Sequence, residues 1–156
     1  MPAHAEEPLS EFEMASRSTP LYTTEILRLA ASLSEPRELD RIDGWAELRS
    51  PTCGSRIGTA VQLDGERRIL AVSQWVHACA FGQASAALLE RHAVGKTHDE
   101  VSNSVLHLGR WLGQEQEEAG EWPGLVELAP ARHRKSRHGA ILLPFRTLLA
   151  AIESAR

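Results

Sequence analysis

Two cysteines are the residues of this chain best suited to chemistry. Cys53 falls in a glycine-containing turn between two predicted strands, and Cys79 falls where a third predicted strand gives way to a helix. The start of a helix favours a thiolate, because its unpaired N–H groups and the positive end of its dipole stabilise negative charge. In an α+β layer both junctions can lie at the same end of the sheet. Two thiolates that met there would form a soft metal site or a pair that relays sulfur.

Packing in the core is the alternative role of the two cysteines, since free cysteine is among the residue types most often buried. They lie far apart in the chain and form no C-x-x-C motif, so spacing alone leaves both roles open. Two cysteines are also too few for a disulfide framework. We therefore expect a reduced, cytoplasmic protein, in which a disulfide between Cys53 and Cys79 is not favoured.

Composition and charge are typical of one folded domain. The 156 residues are 42% apolar and 24% charged, which excludes a wholly disordered protein. A net charge of −4 argues against general nucleic-acid binding. No apolar run approaches the ~20 residues of a membrane span, and the glutamate-rich first residues do not resemble a secretory signal. We expect neither a membrane nor a nucleic acid as partner.

The segments that would position the cysteines begin after the N-terminus. Residues 1–19 are rich in Glu, Ser, Pro and Ala and predict a flexible tail, which leaves a single domain over residues 20–156. Thr19 and Pro20 predict the start of a helix. Apolar residues then recur at helical spacing as far as Leu33, so one face of this helix should be buried.

Three short strands are predicted next. The first covers Gly44–Arg49, and the second, Arg56–Leu63, alternates between two sets of side chains that point to opposite faces. Asp64-Gly65 is a hairpin signal, and residues 68–75 supply the returning strand. Three antiparallel strands are not stable alone with a bare apolar face, so helices must cover them.

The remaining chain predicts three helices. Ala80–His92 is rich in small residues that suit close packing on the sheet, and Gly95 is placed to end it. Thr97 and Glu100 fit a capping box at the start of the next helix, and Pro144 is predicted to open the last one. The order of elements indicates an α+β fold, a three-stranded antiparallel sheet packed by helices.

Four segments resemble the iron–sulfur cluster assembly scaffold family, which includes the NifU amino-terminal domain, IscU and SufU, and the SufU branch most of all. They are Tyr-Thr-Thr-Glu-Ile from Tyr22, Ser-Pro-Thr-Cys-Gly-Ser from Ser50, Cys-Ala-Phe-Gly-Gln-Ala-Ser from Cys79, and Val-Gly-Lys-Thr from Val94. The resemblance covers residues 22–97 and, less closely, 125–152. It implies the same α+β fold and a carrier that is not an enzyme. Such a protein takes sulfur from a cysteine desulfurase and holds a nascent iron–sulfur cluster or Zn²⁺.

The resemblance also implies a metal site of three cysteines and one aspartate, of which this sequence keeps a part. Cys53 and Cys79 match the first two cysteines, whereas Ser55 replaces the aspartate and Ala140 stands at the third cysteine. A neutral hydroxyl is a poor substitute for a carboxylate. The loss of two anionic ligands should weaken metal binding, so the cofactor would be a transient cluster, Zn²⁺ or none.

Two histidines could replace a missing ligand, because imidazole binds zinc and iron–sulfur centres. We predict His138, which precedes the position of the third cysteine, and keep His77, which precedes Cys79, as an alternative. His138 ends a basic run that begins at Arg132, and this run is also explained as a solvated loop or as a contact for an acidic partner. The tryptophans are interpreted as core or interface anchors.

The leading hypothesis from the resemblance is a scaffold or sulfur acceptor in iron–sulfur cluster assembly, which uses Cys53 and Cys79. Its partners would be a cysteine desulfurase and other assembly proteins. Two alternatives stay open at this point. One is a degenerate family member that acts as a protein-interaction module, and the other is a sulfur-transfer accessory similar to SufE, which manages with one exposed thiol.

Overall fold

The computed structural model describes residues 21–156. Its elements are, in chain order, helix α1 (Thr24–Ala31), strands β1 (Gly44–Arg49), β2 (Arg56–Leu63) and β3 (Ile69–His77), helices α2 (Ala80–His92) and α3 (His98–Leu112), a 3₁₀ segment (Leu125–His133) and helix α4 (Lys135–Ser154). The strands form one antiparallel sheet in the order β1-β2-β3. The predicted α+β fold is therefore confirmed.

The two faces of the sheet have different surroundings. On the inner face α4 packs against β1 and β2, and α2 packs against β3. Side chains of β2 that point inward, such as Ile57 and Val61, are fully buried because they meet these helices. The outer face carries the alternate residues of each strand, including Trp45 and Trp75, which are about half exposed. The hydrophobic core thus lies between the sheet and the helices.

Several boundaries follow from local signals in the sequence. Thr97 caps α3, where its side chain accepts from the backbone N–H of Glu100 and completes the predicted capping box. The predicted turn at Asp64-Gly65 is also present, with a loop longer than two residues. The Asp64 carboxylate stabilises this loop, since it accepts from the N–H groups of Glu66 and Arg68. β3 continues beyond the predicted residue 75 and ends at His77.

The predicted start of the last helix at Pro144 is wrong. Helix α4 begins at Lys135 and contains Pro144 in its interior, although proline usually removes a hydrogen bond there and disrupts the helix. Helix α4 packs against α2 beside this proline, where the Ser85 hydroxyl donates to the carbonyl oxygen of Ile141 over 2.6 Å. The helix thus continues through the proline within a packed contact, against the local preference of proline for a first turn.

The first predicted elements fall partly outside the described residues. This is the case for the predicted tail, residues 1–19, and for the helix start at Thr19 and Pro20. The described helix α1 begins at Thr24 and is capped by Thr23, whose hydroxyl accepts from the N–H of Ile26 over 3.2 Å. Within residues 21–156, the structure contains no helix with the length and apolar character that crossing a membrane requires.

Candidate functional site

Cys53 lies in a tight turn that joins β1 to β2. The turn is closed by two backbone hydrogen bonds, from the N–H of Ser50 to the carbonyl of Ser55 over 2.8 Å and from the N–H of Gly54 to the carbonyl of Ser50 over 3.2 Å. Gly54 adopts a φ of +72°, a conformation that favours glycine. The thiol of Cys53 is exposed at the tip of this turn.

Cys79 lies at the other junction, between β3 and α2. It is the N-cap residue of α2, with an extended backbone, and its carbonyl accepts from the N–H of Gln83 over 2.9 Å. Its side chain is partly buried and packs against the hydrophobic core. Cys79 therefore combines a core contact with a position at the positive end of a helix dipole.

The two cysteines line one open cavity of about 430 Å³, called here the cysteine cavity. Its other lining residues are Gly54, Ser55, Val76, His77, Ala78 and Gln83. The antiparallel order of the strands explains this meeting, because the β1–β2 turn and the end of β3 lie at the same end of the sheet. Two thiols that are distant in the chain are thus brought to one solvent-accessible site.

The surroundings of Cys53 stabilise its negatively charged form. Partial burial opposes ionisation of the thiol, but hydrogen bonds from Ser50 and Ser55 and the positive charge of Arg137 outweigh it and lower the pKa of Cys53. The hydroxyl of Ser55 lies 3.1 Å from the sulfur, and Ser55 as a residue is only 4% exposed. The residue at the aspartate position of the family motif therefore acts on the first cysteine here.

Helix α4 begins beside the Cys53 turn. A Cβ atom on Gly139 would lie 2.5 Å from the Ser50 hydroxyl, so this glycine permits the close approach of helix and turn. Ala140, at the position of the third family cysteine, is fully buried. It packs against α2, 3.5 Å from where a Cβ on Gly82 would lie. The structure thus places Ala140 in packing between two helices.

The two candidate histidines take different positions. His77 is exposed at the end of β3 and lines the cysteine cavity. His138 lies in the first part of α4, where its Nε2 is 2.9 Å from the carbonyl oxygen of Ala131 and 3.2 Å from that of Arg132. Nε2 must carry the proton in these contacts, which in the neutral ring leaves the lone pair on Nδ1. His138 does not belong to the lining of the cysteine cavity.

The donor set of one chain is incomplete for a four-coordinate metal. Within residues 21–156 no group of three or more His, Cys, Asp or Glu side chains is arranged to hold a metal ion. Two thiols supply half of a tetrahedral site, and the nearest substitutes are a neutral hydroxyl at Ser55 and an imidazole at His77. Of the four donors of a tetrahedral site, these described residues thus supply two as anionic ligands, namely the two thiols.

Reasoning from the sequence missed the donors that surround the first thiol. In the sequence Ser50 is only the first residue of the cysteine motif and Arg137 lies only within the basic run, yet both act on Cys53. The spacing Ser50-x-x-Cys53 was a local signal that could have indicated a hydroxyl near the sulfur. The contact with Arg137 carries no such signal, because it depends on how α4 docks against the turn.

Comparisons with known proteins give likenesses in structure. No family model and no curated protein matches the sequence. The crystal structure of a nitrogen-fixing NifU-like protein (N-terminal) from Brucella abortus superposes with a TM-score of 0.79 at 27% sequence identity, over 86% of this chain and 93% of the other. A putative iron–sulfur cluster assembly scaffold protein for the SUF system from Fervidobacterium islandicum gives a TM-score of 0.75 at 20% identity, over 85% and 96%.

The second likeness, at 20% identity, shows the fold alone. The first is closer in sequence and spans nearly the whole of both chains. The three-stranded antiparallel sheet with its packed helices agrees with both. Together they confirm the resemblance that the motifs of the sequence indicate, and the chain is similar in sequence and fold to the NifU-like members of the iron–sulfur cluster assembly scaffold family.

Proposed function

We propose that this protein is a scaffold or sulfur acceptor in iron–sulfur cluster assembly, a carrier rather than an enzyme. The observation that carries the proposal is that Cys53 and Cys79 open onto one cavity. The likeness to a NifU-like protein at 27% identity supports the same role. A cysteine desulfurase and other assembly proteins would be its partners, in a reducing cytoplasm that keeps both thiols free.

The sulfur-transfer step requires only a thiolate and a persulfide donor. The thiolate of Cys53 attacks the outer sulfur of a persulfide on the desulfurase, and a new S–S bond forms. The S–S bond of the donor breaks, and the desulfurase leaves as a thiolate. One sulfur atom moves with no net change in oxidation state. Cys53 is the better placed nucleophile, because it is exposed and its pKa is lowered by hydrogen bonds that outweigh its partial burial.

The nascent cluster, or a metal ion, is the cargo of this site rather than a permanent component. Cys53 and Cys79 would supply two thiolate ligands, and His138, which lies outside the lining of the cysteine cavity, would have to approach the cargo to supply a third. For this, the Nδ1 atom of His138 must face the cargo while Nε2 keeps its bond to the carbonyl of Ala131. A backbone carbonyl commonly fixes a metal-binding imidazole in this manner.

The test is to incubate the purified protein with a cysteine desulfurase and free cysteine, and to locate added sulfur by mass spectrometry. We expect a persulfide on Cys53 or Cys79 and none in the Cys53→Ser, Cys79→Ser variant. Iron and zinc content is measured in parallel, for the wild type and for His138→Ala, with the exposed His133→Ala as a matched control. A folded sample that gains neither sulfur nor metal contradicts the proposal.

A sulfur-transfer accessory similar to SufE is the second candidate function. The incomplete donor set within residues 21–156 favours it, since a single exposed thiol suffices for transfer. An accessory of this kind should form a persulfide on Cys53 without any bound metal, and the Cys79→Ser variant should still accept sulfur fully. If cells that carry the double cysteine variant keep full function, the chain instead acts as an interaction module.

A further inference from the structure

Two tryptophans form an exposed aromatic patch on the outer face of the sheet. Trp45 on β1 and Trp75 on β3 make an edge contact with ring centroids 5.2 Å apart and planes at 73°. They meet across Gly58 of β2, where a Cβ atom would lie 2.5 Å from the Trp45 ring. Their exposed fractions are 45% and 40%. Two large rings in mutual contact therefore remain accessible to a partner.

A row of basic side chains separates the tryptophan patch from the cysteine cavity. Arg49 lies opposite Arg56 on the neighbouring strand, and Arg56 lies opposite His77, in the register of the three strands. Side chains opposite one another in antiparallel strands point to the same face, so this basic row lies on the outer face. His77 lines both the cysteine cavity and a cavity of about 230 Å³ beside the tryptophans. The patch, the row and the cysteine cavity thus form one continuous surface.

The charge of this surface is opposite to that of the whole chain. The chain carries a net charge of −4, but the end that bears the cysteines presents the basic row and Arg137, which acts on Cys53. Glu47 is the acidic neighbour on the outer face, and it pairs with Arg56 over 3.3 Å. Because Glu47 offsets the charge of Arg56, the positive charge of this end comes from Arg49 and Arg137, and it attracts a partner surface of negative charge.

We propose that the tryptophan patch and the basic row form a docking surface for an acidic protein surface that carries an exposed apolar side chain. Aromatic side chains and arginine are enriched in protein interfaces and dominate their energetics. A partner held there would have its reactive group beside the cysteine cavity. The inference rests on the proposed function, in which this partner is the protein that donates sulfur.

Two variants of the docking surface test the inference, each with a matched control. Trp75→Ala removes an exposed ring, and Leu106→Ala removes an exposed apolar side chain from α3, which packs on α4 and the 3₁₀ segment. Arg49→Glu reverses a charge in the basic row, and Arg110→Glu reverses an exposed charge on α3. Circular dichroism and thermal unfolding of each variant test whether it is folded, so that a loss of binding is not caused by misfolding.

The probe is a purified cysteine desulfurase, and the dissociation constant is measured by calorimetry at two salt concentrations. We expect Trp75→Ala and Arg49→Glu each to weaken binding about tenfold or more, whereas both α3 controls bind as the wild type does. Binding should also weaken as salt rises. Wild-type affinity in both outer-face variants, or no binding by the wild type, would overturn the inference.

Other occupants of the surface give different results in the same experiment. If a labelled single-stranded oligonucleotide binds more tightly than the desulfurase and loses affinity in Trp75→Ala, the surface binds nucleic acid and the inference is overturned. If Trp75→Ala converts a dimer into a monomer in sedimentation, the occupant is a second copy of this chain, which also overturns it.

Sulfur loading from inorganic polysulfide separates this inference from the proposed function. The Cys53 thiolate attacks a polysulfide sulfur and a shorter polysulfide leaves, so no protein partner is required. We expect Trp75→Ala to load from polysulfide as the wild type does while it binds the desulfurase weakly. Failure of the wild type to load would contradict the proposed function and leave the binding results to decide the docking surface.

Discussion

Two cavities at different places in the molecule differ in size and in chemistry. The larger, of about 650 Å³, lies between α3 and the loop that follows it and is called here the acidic cavity. Its carboxylates come from Glu100, Glu117, Glu118 and Glu121. The cysteine cavity, of about 430 Å³, is lined by both thiols and, among residues 21–156, by no carboxylate. Volume alone would select the first cavity, whereas reactive groups select the second.

Several side chains of the acidic cavity have structural roles. The Glu100 side chain completes the capping box at the start of α3. The Lys96 ammonium lies 5.5 Å from the centre of the Trp122 ring, and the His107 ring contacts the Gln116 side chain. In the cysteine cavity, by contrast, hydrogen bonds and charge act on an exposed thiol. The two cavities thus differ in how their polar groups are directed, since only those of the cysteine cavity are shown to act on a reactive side chain within residues 21–156.

Removal of the thiols should have the largest effect. In Cys53→Ser, Cys79→Ser, sulfur transfer from a desulfurase should fall to background, because the nucleophile is absent. Neutralisation of the acidic cavity with Glu117→Gln and Glu118→Gln should leave transfer unchanged. Mass spectrometry of the added sulfur measures both. Equal losses in the two sets of variants would remove the distinction between the cavities.

A carboxylate at the position of Ser55 should increase metal affinity. Ser55→Asp adds an anionic oxygen beside Cys53, and we expect tighter zinc binding by at least the roughly 10–100-fold that changes around metal ligands produce. The matched control is Ser136→Asp, which adds the same charge at an exposed position of α4. Competition with a zinc-sensitive dye gives the affinity. If both aspartates raise it equally, net charge rather than coordination is the cause.

Close packing beside the cysteine cavity should make Gly82 sensitive to substitution. A Cβ on Gly82 would lie 2.5 Å from the Cβ of Ala78, so Gly82→Ala should lower the free energy of unfolding by about 1–3 kcal/mol. A Cβ on Gly109 of α3 would make only an ordinary van der Waals contact, with Leu142 at 3.9 Å, and Gly109→Ala should stabilise the fold by up to about 1 kcal/mol. Urea unfolding measures both changes. Equal effects would show that the two helices pack alike.

Loss of the Ser55 hydroxyl should raise the pKa of Cys53. Hydrogen bonds to the sulfur favour the thiolate, so Ser55→Ala should shift the pH profile of alkylation at Cys53 towards higher pH. At neutral pH the rate should fall because less thiolate is present. Ser102→Ala on α3 is the control and should leave the profile in place. An unchanged profile in Ser55→Ala would mean that the hydroxyl does not stabilise the charge.

The smallest effect concerns an ion pair distant from the thiols. His98 lies 3.2 Å from Asp99 and from Glu153, which raise the pKa of the imidazole. The stabilisation is therefore present below the ordinary pKa of histidine and is lost as pH rises through the raised value. Because the pair is exposed, Glu153→Gln should lower the free energy of unfolding by no more than about 0.2–1 kcal/mol at mildly acidic pH, and not at all above the raised pKa. Urea unfolding at several pH values measures this loss. A loss that does not change with pH would contradict the assignment of the stabilisation to His98.

Elements with strong local signals could be predicted from the sequence. β1, β2 and α2 have the predicted boundaries, Gly44–Arg49, Arg56–Leu63 and Ala80–His92, since turns, alternation and a terminal glycine define them locally. Contacts between elements could not be predicted in this way. The path of α4 through Pro144 depends on α2, and the meeting of Trp45 with Trp75 depends on strand register. Residue types alone did not indicate either contact.

In the candidate site, too, features with a local signal could be predicted and contacts between elements could not. The expectation that both cysteines reach the same end of the sheet followed from the order of elements, and the cysteine cavity contains both. The environment of Cys53 was not predictable, because Arg137 approaches it only through the docking of α4. The role of His138 as a ligand stays a prediction. Its Nε2 contacts with the 3₁₀ segment arise from packing that the sequence pattern does not encode.

The most direct test of the account is whether the two thiols react as one site. Dibromobimane becomes fluorescent when both of its arms react with neighbouring thiols, so it reports whether Cys53 and Cys79 are within reach of each other. We predict fluorescence in the reduced, folded protein and none in Cys53→Ser or Cys79→Ser. A folded wild-type protein whose two thiols are alkylated separately, without a cross-link, would contradict the claim that they share one cavity.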